Sequence, residues 1–122
     1  MFIVVMRDIA DVEPFEHQPG AANLARGSAA VLTAGSLAKC GATAKPSHIV
    51  MGPADGNGVY PCIRVQPTTV FETTSTAAVA SAGTKVTLNT DALSVTATAT
   101  DGVFTVDSTE NKANGVVRGR FL

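Results

Sequence analysis

Two histidines and two cysteines are the residues with which this chain could carry out covalent or metal chemistry. A nucleophilic triad built on His48 would take Cys40 or Cys62 as nucleophile and needs an acid to orient the imidazole. No local motif joins these residues, and a satisfied or solvent-facing histidine is the plainer expectation for both His17 and His48. Cys40, His48 and Cys62 are zinc-ligand types, but the paired CxxC or HxxxH spacing of a structural zinc site is absent. Asp55-Gly-Asn-Gly58 resembles the opening of a calcium loop. The position that would supply the closing glutamate is Gln66, so a glycine-rich turn is the reading that remains. The same residues are no dinucleotide loop, because no helical pattern follows them. Arg118-Gly-Arg120 sets two cations on one face of a strand, positioned for a phosphate, a partner's carboxylate or solvent. No catalytic, cofactor-binding or metal-ligating residue is assigned.

The elements that would position these groups are almost all strands. The chain of 122 residues holds fifteen Thr and fifteen Val, and its apolar fraction of 45% rests on nineteen Ala beside five Phe, one Tyr and no Trp. Such a length fits one domain, but small side chains each bury little area, so a single copy has a thin core. Turn signals recur every 8 to 12 residues with little helical periodicity between them. The expected fold is all-β, a small sandwich or barrel-like domain with an extended N-terminal arm. The arm is residues 1–27 and the β-rich domain residues 28–122.

The most regular stretch is 93–106. Leu93, Val95, Ala97 and Ala99 alternate with Ser and Thr, and Asp101-Gly102 suits a type I′ turn. A hairpin is expected there, with Ala99 opposite Phe104 and Ala97 opposite Val106. Short strands are also expected at Ser28–Leu32, Gly35–Lys39, His48–Met51, Val59–Gln66, Thr68–Thr74, Lys85–Leu88 and Gly115–Leu122. Pro61 marks the fourth of these as an edge or a bulge.

A net charge of −1 gives no broad cationic footprint for nucleic acid. Two cysteines, 22 positions apart, make no disulfide framework. Phe2-Ile-Val-Val-Met6 is too short for a signal peptide or a membrane span. The first 27 and last seven residues instead carry apolar side chains in stretches too short to form a second core. Such segments are often ordered on another subunit. Candidate partner contacts are therefore Phe2, Ile3, Val4, Val5, Met6 and Phe15 in the arm, with Arg118, Arg120 and Phe121 at the other end.

The order of Arg26-Gly-Ser-Ala-Ala-Val-Leu-Thr-Ala-Gly35, Pro46-Ser-His-Ile-Val-Met-Gly-Pro53, Asn89-Thr-Asp-Ala-Leu93, Gly102-Val-Phe-Thr-Val106 and the terminal Val117-Arg-Gly-Arg-Phe-Leu122 resembles the decoration, or cement, proteins of tailed-bacteriophage heads. The likeness is one of strand order, size and composition over roughly residues 20–122. It departs from some relatives in lacking a very long Pro- and Gly-rich leader. The resemblance implies a non-enzymatic, structural virion protein, commonly a homotrimer, on the outer capsid surface after assembly in the host cytoplasm. Its partner would be the major capsid protein, and its work would be capsid stabilisation by clamping neighbouring capsomers. No nucleic acid, membrane, small-molecule substrate or cofactor is expected. The alternative is a non-catalytic β-sandwich binding module, for a carbohydrate or receptor, of a phage tail or surface protein.

Overall fold

The structure, a computed structural model, describes residues 1–6 and 15–122, the side chain of Met6 excepted. The described residues hold ten strands and no helix. They are β1 (Ile3–Met6), β2 (Glu16–Pro19), β3 (Ala29–Thr33), β4 (Ser36–Lys39), β5 (His48–Val50), β6 (Val59–Arg64), β7 (Val70–Thr74), β8 (Lys85–Val86), β9 (Phe104–Thr109) and β10 (Val116–Phe121). They form two antiparallel five-stranded sheets, ordered β1-β7-β10-β9-β8 and β2-β6-β5-β3-β4. The fold is the expected all-β, sandwich-like domain.

The core lies between the sheets. The first sheet contributes Phe71, Phe104, Val106, Val117 and Phe121; the second contributes Ala29, Ile49 and Ile63, all of them buried. Phe2, just before β1, joins Phe71, Phe104 and Phe121 in one ring cluster, with centroids 5.1 to 6.4 Å apart and mostly edge-on. Edge-to-face contact adds to simple burial because ring edges and faces carry opposite partial charge. A chain so poor in aromatic residues thus concentrates four of its five Phe at one point.

The second sheet has a further cluster on its opposite face. Ala30, Leu37, Val50, Tyr60 and Cys62 pack there, with Leu24 and Leu32 against them. That face is covered because the sheet curls. Gly20, past the end of β2, bridges Leu37 of β4 in parallel, and Ala21 N–H donates to Leu37 C=O at 2.9 Å. The edge strands β2 and β4 are thereby drawn together.

Most expected strands are present with small shifts of boundary, but the 93–106 hairpin is not. Residues 95–98 run instead beside Thr87 and Leu88: Thr96 N–H donates to Thr87 C=O, Thr87 N–H donates to Thr98 C=O, and Val95 bridges Leu88. The expected type I′ turn is absent: Asp101 is left-handed (φ 59°) while Gly102 is not, and Gly102 N–H donates to Ala99 C=O at 3.3 Å. Past Gly102, β9 inserts between β8 and β10, where Phe104 meets both Val86 and Phe121. Val95 is buried and Ala97 packs on the core as the alternation implies, but Ala99 is exposed and Ser94, of the opposite parity, is buried. Alternation did not fix the partner strand, because β9 is buried better between two strands than one. The turn with two left-handed residues is Ala34-Gly35 (φ 53° and 80°), which joins β3 to β4.

Pro61 is neither at a sheet edge nor in a bulge. Its strand, β6, lies between β2 and β5. Pro61 C=O accepts Met51 N–H at 2.8 Å, one residue past the end of β5, so the missing donor falls where that ladder stops.

Candidate partner-binding face

The outer face of the first sheet gathers part of the expected contact set. Along β10, Val117, Gly119 and Phe121 turn inward, while Val116, Arg118 and Arg120 turn outward. Gly119 is demanded by close approach: a Cβ there would lie 2.0 Å from the Thr105 carbonyl oxygen. Next to it β9 is bulged, since Arg118 opposes Ser108 while Gly119 opposes Val106. The extra residue is Asp107, whose Oδ2 accepts Arg120 Nε–H at 3.2 Å. The register Ile3–Glu72–Arg118 runs straight across β1, β7 and β10, and Glu72 Oε2 accepts from Arg118 Nη2 at 3.3 Å. Both guanidinium groups are thus oriented by carboxylates yet stay about half exposed (51% and 44%). Beside them stand Ile3 (47%) and Val5 (42%), two of the most exposed large apolar side chains described.

The other expected contacts lie elsewhere. Phe2 and Phe121 are core residues and leave no side chain for a partner. Val4 and Phe15 are half-buried and pack on the core, and Met6 pairs with Val70 through its backbone. Residues 7–14 of the expected arm lie outside the described residues. The described parts of that segment each join a sheet: β1 pairs with β7, and β2 with β6. Between β1 and the second sheet runs a groove of about 460 Å³ lined largely by Phe2, Val4, Phe15 and Met51. Arg26, which also lines it, has no ion-pair partner among the described residues.

A polar cluster that sequence reading missed sits on the second sheet. His48 is fully buried on β5. Its Nε2 lies 2.9 Å from Glu16 Oε1 of β2, and its Nδ1 lies 2.8 Å from Ser47 Oγ. A carboxylate only accepts, so Nε2 carries a proton; in the neutral ring Nδ1 then accepts the Ser47 hydroxyl. Ser47 Oγ also accepts Leu32 N–H at 2.8 Å. Glu16 Oε1 takes two further donors at 2.9 Å, Gln18 Nε2 and Arg64 Nη2. Partial burial works against the Glu16 charge, but the bonds from Gln18, His48 and Arg64, with the charge that His48 carries when doubly protonated, outweigh it and bring its pKa down to about 2. Glu16 is 32 residues from His48 in sequence, and no spacing rule links them.

The thiols are placed for packing. Cys62 S–H donates to the Glu16 backbone carbonyl, and Cys40 S–H to the carbonyls of Gly41 and Ala44. Both are free and buried, and burial pushes each up to about 11. Among the described residues no three His, Cys, Asp or Glu side chains cluster to hold a metal ion. Asp55 makes a turn by accepting the N–H groups of Asn57 and Val59. Tyr60, the one Tyr, is buried, and its hydroxyl donates to Ala21 C=O while accepting Leu24 N–H. Among the described residues no helix is long and apolar enough to cross a membrane.

No family model, curated protein or solved structure matches this chain. What it can do must be argued from the geometry.

Proposed function

We propose that the protein is a structural subunit that decorates the outside of a tailed-phage capsid and stabilises the shell. The observation that carries this reading is the outer face of the first sheet. There, exposed Ile3 and Val5 stand beside Arg118 and Arg120, whose orientation is held by Glu72 and Asp107. Arginines held by carboxylates on a rigid sheet lose little side-chain freedom on docking, which lowers the cost of binding. The resemblance in strand order to head-decoration proteins supplies the class of partner, the major capsid protein. A homotrimer would add apolar burial to a small chain whose apolar composition leans on nineteen Ala. Many copies on one lattice then multiply modest contacts through effective concentration. The role needs no catalysis. A sugar-binding module is the weaker reading, because sugar faces favour exposed aromatic platforms, whereas Trp is absent and Tyr60 is buried.

The test uses purified chain and heads assembled from the major capsid protein of the same source. The expected result is an oligomer by light scattering that binds expanded heads, not unexpanded ones, and protects them against heat or chelator. Failure to bind or protect expanded heads overturns the proposal.

A further inference from the structure

The two sheets hold their N-terminal strands in different ways, and the second has a consequence of its own. No residue of β2 is fully buried; its four positions alternate between half-buried and exposed. By contrast every residue of β5 is buried, and β6 buries Tyr60, Cys62 and Ile63. Beyond its ladder with β6, β2 is held chiefly through Glu16, whose single Oε1 accepts Gln18, His48 and Arg64 together. Beside β2 in the same sheet, Cys62 is directly opposite Glu16, to whose backbone carbonyl its thiol donates at 3.4 Å, and Tyr60 is opposite Gln18, both on the face that the curled sheet encloses.

We infer that β2 is a polar clasp that opens as a unit ahead of the rest of the fold, uncovering Cys62 and the apolar filling of the curled sheet. Local opening is drawn from elements with little buried apolar area and much exposed hydrogen bonding, and β2 is such an element. The trigger that the geometry provides is neutralisation of Glu16. A protonated carboxyl carries no charge for Arg64, and its carbonyl oxygen holds the three donors more weakly than a carboxylate oxygen does. Among the described residues the groups facing this carboxylate are Gln18 of β2, His48 of β5, and Arg64 and Cys62 of β6; Lys39 of β4 ends the same cross-sheet row beyond Ala30. Closed, the clasp leaves the Cys62 thiol buried and inert; open, it leaves an ordinary accessible thiol.

The two cysteines make the test internal. Cys62 lies under the clasp, whereas Cys40 belongs to the main core between the sheets. Full-length protein is labelled with 4,4′-dithiodipyridine, and rates are normalised to the same thiols in the urea-unfolded chain. Cyanogen bromide cleavage at Met51 places the two thiols in different fragments for mass spectrometry. At neutral pH Cys62 is expected to be labelled faster than unfolding of the whole chain allows, with Cys40 held to that global limit, and Glu16→Gln is expected to raise the Cys62 rate about tenfold, the equivalent of one lost charge-assisted hydrogen bond. Unsubstituted protein is expected to show the same rise in the Cys62 rate as pH falls below about 4.5, the usual glutamate range, while circular dichroism keeps its folded signal. The acid arm needs no variant, so a misfolded Glu16→Gln protein would not remove the test. Labelling of Cys62 no faster than unfolding of the whole chain allows, or Cys62 becoming reactive only together with loss of the folded signal, overturns the inference. So does a Cys62 rate that neither the substitution nor acid changes.

Discussion

Strands β1 and β2 are a natural experiment in how an edge strand is held. Each terminates one of the two sheets, and each is four residues long. The first is anchored by Phe2, sunk among Phe71, Phe104 and Phe121. The second is anchored by Glu16, which gathers donors from β5 and β6. Burial of an aromatic ring does not depend on pH and is little screened by salt. A carboxylate that is partly exposed feels both. One edge should therefore behave as part of the core, and the other as a separable element whose grip depends on conditions.

The largest effect should come from the ring cluster. Phe121→Ala removes the ring that contacts Phe2, Phe71 and Phe104. It is expected to cost about 3–5 kcal/mol in urea unfolding. If the loss were under 1 kcal/mol on that ~3–5 scale, the ring cluster would not be the organising core. Gly119→Ala comes next, because the added methyl meets backbone rather than a movable side chain. A cost of about 1–3 kcal/mol is expected, read as a lowered urea midpoint at constant slope.

Glu16→Gln should cost about 1–2 kcal/mol at neutral pH and change the shape of the pH profile. The Glu16 carboxyl lies near 2 in the folded protein, well under its ordinary 4.5. Its contribution is therefore complete above the unfolded value and is lost as pH falls from about 4.5 towards 2. Thermal melts across that window should show a steeper decline for the unsubstituted protein than for Glu16→Gln. Parallel curves would mean that Glu16 does not set the acid limb.

The smallest stability effects belong to the outer face of the first sheet. Arg118→Ala and Arg120→Ala each remove a half-exposed ion pair, at most about 1 kcal/mol, and Ile3→Lys should stay within about 0.5 kcal/mol. Under the proposed function the same substitutions weaken attachment to expanded heads far more than they destabilise the fold. A co-sedimentation assay beside a melt separates the two effects. Undiminished attachment of a chain carrying all three substitutions together would move the docking surface elsewhere.

Part of this comparison is legible in the chain. Alternation in Val116–Phe121 already implied that Arg118 and Arg120 share one face, as they do. Exposed-end reasoning placed Ile3 and Val5 correctly at the surface, but it also offered Phe2 and Phe121, which the core consumes. Apolar character shows that a residue will be buried somewhere and is silent about where. The clasp was illegible for a different reason. Glu16, His48 and Arg64 lie on three strands that only sheet formation makes neighbours, and each looks ordinary in its own local sequence.

What the sequence determined by itself was strand content, the parity of most strands and the places where turns must fall. These depend on period-two patterning and on residues with restricted or permissive backbones, which act over a few positions. What only the tertiary structure decided was pairing. The same Thr-rich stretch that suggests a hairpin with Phe104–Val106 lies instead beside Thr87 and Leu88, and β9 goes to a place between β8 and β10. Parity is a property of one strand, whereas partnership depends on competition among all strands for the same buried area. The ion pairs, the ring cluster and the clasp follow from the outcome of that competition.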